Sequence, residues 1–425
     1  MRRRSRKNWV KLDNAAKIFP PTTDKIDSKV FRFACELRET VDPVVLQEAL
    51  GRTLEDFPGY RTVLKHGLFW YYLEDTELCP QVHEEDTPVC GPLYDKNEHS
   101  LLFDVSYYRR RISLEIYHAL ADGTGALQFL RALVCQYLVL AHPEEFGDNP
   151  PDSGFDASVS EKMADSFDKY YAPHKIKKVI SPAAYKIKKS RLAENRLKVV
   201  EGVLPTDRTI ALAKQHEATL TAFLAALLLC AIADGMPLRE RKKPVVLSVP
   251  VNLRNYFASE STRNFFGLIY ISYRFGAEND FGEVLAAVKR QMAEQLSPDS
   301  IRANMNSLIA MEKNALVRVV PLLIKDFVMN IGYRISERSV TAALSNIGRV
   351  TLPAVFEDRI RLFDVMASTK KLQVCLCSYG NKLVISFTDG FAGADIQKYF
   401  FRRLASWGLD VQVTANPQEE GGEKQ

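Results

Sequence analysis

The sequence predicts an α/β protein of two related subdomains, and three observations carry that prediction. Strand-like and helix-like patterns alternate along 425 residues, more than one ordinary core accommodates. A stretch rich in proline, glycine, serine and aspartate, FGDNPPDSGFDASVS at 146–160, interrupts them and reads as a linker. Two distant segments share one plan. RRISLEIYHALADGTGALQFLRAL and NKLVISFTDGFAGADIQKYFFRRL each run from an alternating strand through a loop of small residues into an apolar helix. Duplication is one explanation and chance similarity of two strand–loop–helix units is the other. Aligned this way, His118 falls opposite Asp389, so only the first copy carries the histidine. The expected division is a first subdomain over 1–160, a basic crossover over 161–200, and a second subdomain over 201–425.

The elements follow in order. VFRFACEL at 30–37 alternates as a strand does. DPVVLQEALGRTLEDF reads as a helix, with Asp42 able to cap it and Pro43 suited to its first turn. LLFDVSYY and RISLEIYHA form a hairpin with a basic turn at Arg109–Arg111. In its second strand Ile112, Leu114 and Ile116 face one way, and Ser113, Glu115 and Tyr117 the other. GALQFLRALVCQYLVLA is a strongly apolar helix. Two helices are expected between Thr206 and Ala233, then strands at PVVLSVPVNL and FFGLIYISYRF and a helix at DFGEVLAAVKRQMAEQL. Strands follow at AALSNI, RIRLFDVMA, LQVCLCSY and KLVISFTD.

Composition narrows the function classes. Hydrophobic content of 46% with 26% charged residues describes a soluble globular chain. A net charge of +5 suits an anionic small molecule and does not call for nucleic acid. The seven cysteines include no C-x-x-C pair, which points to reduced, mostly buried thiols in a cytoplasmic protein. The basic MRRRSRK is not followed by an apolar stretch, so it reads as a disordered arm and not a secretory signal. No run of 18 apolar residues suggests a membrane span. The remaining histidines are scattered without metal-ligand spacing, and no P-loop or dinucleotide fingerprint is present.

The segment YHALADGTGAL at 117–127 concentrates the chemistry. A lone histidine after a strand is usually a hydrogen-bonded residue without a catalytic role. Here it sits at a strand end, before a loop of small residues that lets a ligand approach the backbone, with Asp122 and Gly123 at fixed distance. With VPVNLR at 249–254, NFFG at 264–267 and SNIGRVTLP at 345–353, the sequence resembles the H-x-x-x-D-G superfamily of histidine-dependent acyltransferases. That superfamily includes chloramphenicol acetyltransferase, plant acyltransferases, alcohol acetyltransferases and peptide-synthetase condensation domains. The resemblance is nearest to the stand-alone alcohol-acetyltransferase-like group. Tyr117 stands where condensation domains carry a first histidine, and LFDVMAS lacks the tryptophan and glycines of the plant enzymes' late signature.

The resemblance implies two chloramphenicol-acetyltransferase-like subdomains with an active-site tunnel between them, complete within a monomer. It implies His118 as general base, and Asp122 as a structural carboxylate turned away from the substrate and held by an arginine of the other subdomain. Arg254 is the candidate partner, a fork able to grip a carboxylate bidentately. Ser345 and Asn346 are candidates for the oxyanion or tunnel wall, and Gly267 for a close approach of the tunnel backbone. The implied reaction moves an acetyl or short acyl group from coenzyme A, a cosubstrate and not a resident cofactor, to an alcohol. Donors delivered by an acyl carrier protein, with an amine or hydroxyl acceptor, are the enzymatic alternative, and an inactive binding module is the other. The basic segment 174–198 is read first as a solvated crossover. Lys186, Lys188 and Lys189 are its candidates for the phosphates of coenzyme A, and contact of that segment with a membrane surface is the less favoured reading.

Overall fold

The computed structural model describes residues 8–147, 166–170, 182–276, 280–313 and 319–416. The basic arm, most of the linker and positions 174–181 of the basic segment lie outside the described residues. Two large sheets and one small one organise the rest. The first sheet has the order β12-β2-β7-β6-β5. It comprises β2 (Val30–Leu37), β5 (His83–Glu84), β6 (Phe103–Tyr108), β7 (Arg111–Tyr117) and β12 (Ile360–Ala367). The second has the order β10-β9-β11-β13-β14-β8-β15. Its strands are β8 (Lys198–Pro205), β9 (Val245–Asn252), β10 (Phe266–Tyr273), β11 (Ala342–Arg349), β13 (Leu372–Tyr379), β14 (Lys382–Asp389) and β15 (Gln412–Ala415). Strands β1 (Trp9–Lys11), β3 (Thr62–His66) and β4 (Tyr71–Asp75) form the small sheet.

The shared plan of the two halves extends beyond the repeated segments. In the first half, β2 leads into helix α1 (Pro43–Asp56), and the hairpin β6–β7 leads into helix α2 (Gly123–Ala141). In the second, β8 leads into α3 (Thr206–Gln215) and α4 (Leu220–Asp234), and the hairpin β13–β14 leads into α8 (Asp395–Ser406). In both, the leading strand pairs antiparallel with the second hairpin strand: β2 with β7, and β8 with β14. Between them lie α5 (Phe281–Gln295), α6 (Pro298–Lys313) and α7 (Leu322–Glu337).

Local chemistry accounts for the elements that position the site. Asp42 caps α1 by accepting from the amides of Val44 and Val45 at 2.8 and 3.2 Å, and Pro43 occupies the first turn. Helix α2 is apolar enough and long enough to match a membrane span. In this fold it is a core helix, with Phe129, Leu130 and Leu133 fully buried. Each such side chain contributes roughly 1.5–3 kcal/mol of burial energy, which anchors the helix whose N-terminus carries the H-x-x-x-D-G loop. Helix α4 is buried almost all round, against β9, α5 and α8.

The structure adds two features that local spacing does not show. The polar face of β7 is not solvated: Ser113, Glu115 and Tyr117 are buried along with Ile112, Leu114 and Ile116. Glu115 is satisfied there by Arg32 Nε at 2.8 Å and the Cys90 amide at 2.7 Å. And β12, on the far side of the boundary placed at 201, returns to pair with β2 at the edge of the first sheet. Its buried Asp364 receives Arg111 Nη2 of β7 at 3.1 Å. The second half of the chain thus completes the first sheet.

Candidate active site

His118 follows β7 directly, and its amide donates to the Lys29 carbonyl at 2.8 Å, continuing the β2–β7 ladder by one residue. The half-buried imidazole is enclosed by rings: Phe19 stacks on it at 4.4 Å, and Phe31 and Phe266 approach at 4.9 and 5.7 Å. Nδ1 lies 3.2 Å from Asn264 Oδ1. The Asn264 amide is oriented by its other end, which donates to the His118 carbonyl at 3.0 Å and to Asp13 Oδ2 at 3.3 Å. Its oxygen therefore points at Nδ1, which must carry the proton. Nε2 is left with a lone pair and, among the described residues, no hydrogen-bond partner. Burial holds the imidazole below its ordinary value of 6.5, with the Asp122 carboxylate pulling the other way. Neutral at pH 7, Nε2 is able to accept a proton.

Asp122 turns away from this edge. One oxygen caps α2, accepting from the amides of Thr124 and Gly125 at 3.1 and 3.0 Å. The other accepts from Arg254 Nη1 at 2.7 Å and from the Phe265 amide at 2.9 Å. Arg254 is engaged on every nitrogen. Nε and Nη2 donate to the Ser261 carbonyl at 3.2 and 2.7 Å, and Nη2 also to the Arg263 carbonyl at 2.6 Å. The bidentate grip expected from sequence does not form. Asp122 has two tasks, so each oxygen serves a different one, and the guanidinium spends its remaining donors on the loop between β9 and β10. That loop lies against the start of α2. A Cβ at Gly125 would stand 1.8 Å from the Thr262 carbonyl oxygen, so only glycine fits.

The remaining candidates divide. Gly123 faces Ile347, whose Cδ1 lies 3.1 Å from where its Cβ would be. Ile347 is the extra residue of a bulge in β11, between Asn346 and Gly348. Asn346 is consumed locally: it donates to Thr221 Oγ1 of α4 at 2.8 Å and accepts from the Gly348 amide at 2.9 Å. Ser345 lies on the opposite side of the strand from Asn346, and its hydroxyl has no partner among the described residues. Gly267 pairs with Val251 in the ladder and makes only ordinary contact with Leu253. Its neighbour Phe266 is the residue that touches the imidazole. The lysines do not form a free cationic patch. Lys186 donates to the carbonyls of Glu337 and Val340, Lys188 pairs with Glu240 at 2.7 Å, and Lys189 pairs with Asp395 at 2.7 Å. These three ammonium groups lie against acidic and carbonyl groups of their own chain, which take the place that a phosphate would have taken. No cluster of metal-ligating side chains occurs among the described residues.

Residues 196–357 match the family described as phthiocerol/phthiodiolone dimycocerosyl transferase C-terminus. No curated protein matches the chain in sequence. Solved structures match nearly its whole length. TRI101 of Fusarium sporotrichioides, solved with coenzyme A and T-2, aligns with a TM-score of 0.63 at 11% identity, covering 96% of this chain and 99% of that one. Polyketide synthase associated protein 5 from Mycobacterium tuberculosis aligns with 0.58 at 16%, covering 93% and 97%. The first condensation domain of the CDA synthetase aligns with 0.56 at 16%, covering 92% of both. The chain has the two-subdomain acyltransferase fold.

Within this acyltransferase fold the departure at Tyr117 has a structural account. Its ring is fully buried against Tyr94 at 5.0 Å, and its hydroxyl shares a 2.8 Å hydrogen bond with Thr23. It is a packing residue beneath the loop. The opposite end of the repeat is likewise structural: Asp389 takes Lys198 Nζ at 3.0 Å, the Phe391 amide at 2.8 Å and Gln397 Nε2 at 2.7 Å. Sequence reasoning missed four contributors to the site, namely Asn264, Ile347 and the rings of Phe19 and Phe31. Asn264 opens NFFG and Ile347 lies within SNIGRVTLP, and their places in those motifs were the available signals.

Proposed function

We propose that the chain transfers an acetyl or short acyl group from a coenzyme A thioester to an alcohol, with His118 as general base. The observation that carries this reading is the arrangement of the imidazole: Nδ1 is held by Asn264, Nε2 is without a partner among the described residues, and the ring is kept neutral by burial. The acceptor hydroxyl gives its proton to Nε2 as its oxygen attacks the thioester carbonyl. The tetrahedral intermediate expels the thiolate, which takes the same proton back from the imidazolium and leaves as free thiol. No enzyme-bound acyl group is needed, because the donor arrives activated. A positioned base of this kind contributes about 10²–10⁴-fold.

Ser345 is the remaining side-chain candidate for donating to the developing oxyanion, since Asn346 is engaged elsewhere. The phenylalanine walls around His118 favour an apolar acceptor over a charged amine. The test is a screen of acyl-coenzyme A donors against alcohols and amines, reading free thiol. Turnover with alcohols that is lost in His118→Ala supports the reading. Turnover only with acyl groups on a carrier protein would replace the donor class, and absence of turnover with every donor would defeat catalysis by this fold.

A further inference from the structure

Helix α7 (Leu322–Glu337) is amphipathic in the reverse of the usual sense. Its inward face is polar. Lys325 Nζ donates to the Phe69 carbonyl at 2.9 Å, and Asp326 accepts from the Tyr71 hydroxyl at 2.6 Å. Asn330 donates to the Pro21 carbonyl at 2.7 Å, and the Tyr333 hydroxyl accepts from Lys29 Nζ at 2.8 Å. Its outward face is apolar. Leu323, Ile324, Phe327, Val328, Ile331 and Ile335 are all exposed, Leu323 at 84% and Phe327 at 67%. A surface helix ordinarily turns such a stripe to the core. The patch continues onto the β3–β4 turn, where Leu68 and Trp70 are exposed and the Leu68 carbonyl accepts from the Leu322 amide at 2.8 Å.

Charge narrows what covers this face. From 321 to 338 the other exposed positions are Pro321, Gly332, Arg334, Ser336 and Arg338, so the outward face carries two cations and no exposed acid. Two copies packed antiparallel through it would bring each arginine pair against the partner's apolar first turn, with no carboxylate there to receive it. A bilayer of anionic phospholipid offers both halves of the match, acyl chains for the leucine, isoleucine and phenylalanine side chains and phosphates for the arginines. We propose that α7 and the Leu68–Trp70 turn dock this protein on an anionic phospholipid membrane. The helix also adjoins the site: Asn330 binds Pro21, and Phe19 of the same Phe19–Thr22 turn stacks on His118. Passage of an apolar acceptor from the bilayer to the imidazole rests on the acyl-transfer reading above; docking itself does not.

The test is flotation of the full chain with vesicles of phosphatidylcholine alone, and of phosphatidylcholine mixed with phosphatidylglycerol. The full chain should float with the mixed vesicles, and less so as salt rises. Phe327→Asp combined with Ile331→Asp should weaken binding by about tenfold or more without lowering the melting temperature, because both side chains are exposed. Arg334→Glu combined with Arg338→Glu should remove the preference for anionic lipid. Unchanged binding by the Phe327/Ile331 double variant, or no binding to either vesicle, overturns the proposal. So does a dimer in sedimentation velocity that the Phe327/Ile331 double variant dissolves. Flotation of His118→Ala should equal that of the unaltered chain, so a protein that docks but does not transfer acyl groups would sink the catalytic reading alone.

Discussion

Asn264 holds the Nδ1 edge of His118 at 3.2 Å while its own amide nitrogen is anchored on the His118 carbonyl and on Asp13. The two residues are 146 positions apart, and the contact joins the loop between β9 and β10 to the end of β7. One amide thereby sets both the tautomer and the tilt of the ring. Asn264→Ala should lower kcat with little change in KM. The loss should stay within the roughly 10²–10⁴-fold that a general base supplies, since the imidazole itself remains. Steady-state kinetics checks this, and an unchanged kcat would mean that the ring needs no such support.

His118→Ala should remove that whole factor and leave the fold intact, because the half-buried ring sits at the lip of the core. Turnover and thermal melting are measured on the same preparation. Near-normal turnover in a folded variant would reassign the base.

The pH dependence follows from burial of the imidazole. The rate should be level above pH 6.5 and fall as pH drops through an inflection lying below that value. Stability moves in the same direction. Below about 6.5 the unfolded chain binds a proton at this histidine that the folded chain resists, so the contribution is complete above 6.5 and is lost as pH falls toward the folded value. A pH–rate profile and an NMR titration of the ring should agree. An inflection above 6.5 would show that charge, and not desolvation, dominates.

Asp122→Ala should cost stability through two routes. It strands Arg254 of a nearly buried pair, a change worth about 3–5 kcal/mol, and it removes the cap of α2, worth about 1 kcal/mol. A double-mutant cycle with Arg254→Ala isolates the first route. Additive losses would mean the ion pair contributes nothing of its own.

Gly125 and Gly123 should respond differently to alanine. At Gly125 the new methyl meets backbone, the Thr262 carbonyl, so the loop must move at a cost of about 1–3 kcal/mol or more. At Gly123 it meets the tip of Ile347, a side chain that can rotate, and the change should be close to neutral. Paired melting curves distinguish them, and equal losses would contradict the close approach.

Much of the fold was legible in the sequence because secondary structure is written in local spacing. Strands β2, β13 and β14 begin and end where the alternating runs do, and α1 starts at the aspartate and proline that signal it. The histidine, the aspartate and the candidate arginine were legible as residue types with a fixed spacing or a shared motif. Periodicity says which side chains share a face, and not which face is buried. The 298–341 region therefore gave no expectation, and α7 turns its apolar stripe outward. The tertiary structure alone decided the rest. Folding brought Phe19, Phe31 and Phe266 around one imidazole, closed the Thr262 carbonyl over Gly125, and sent β12 back into the first sheet. It also gave Lys186, Lys188 and Lys189 partners within their own chain, although their charge density in sequence suggested a phosphate. Hydrogen bonds and close contacts act over a few ångströms, and only the folded path of the chain determines which distant residues come within that range.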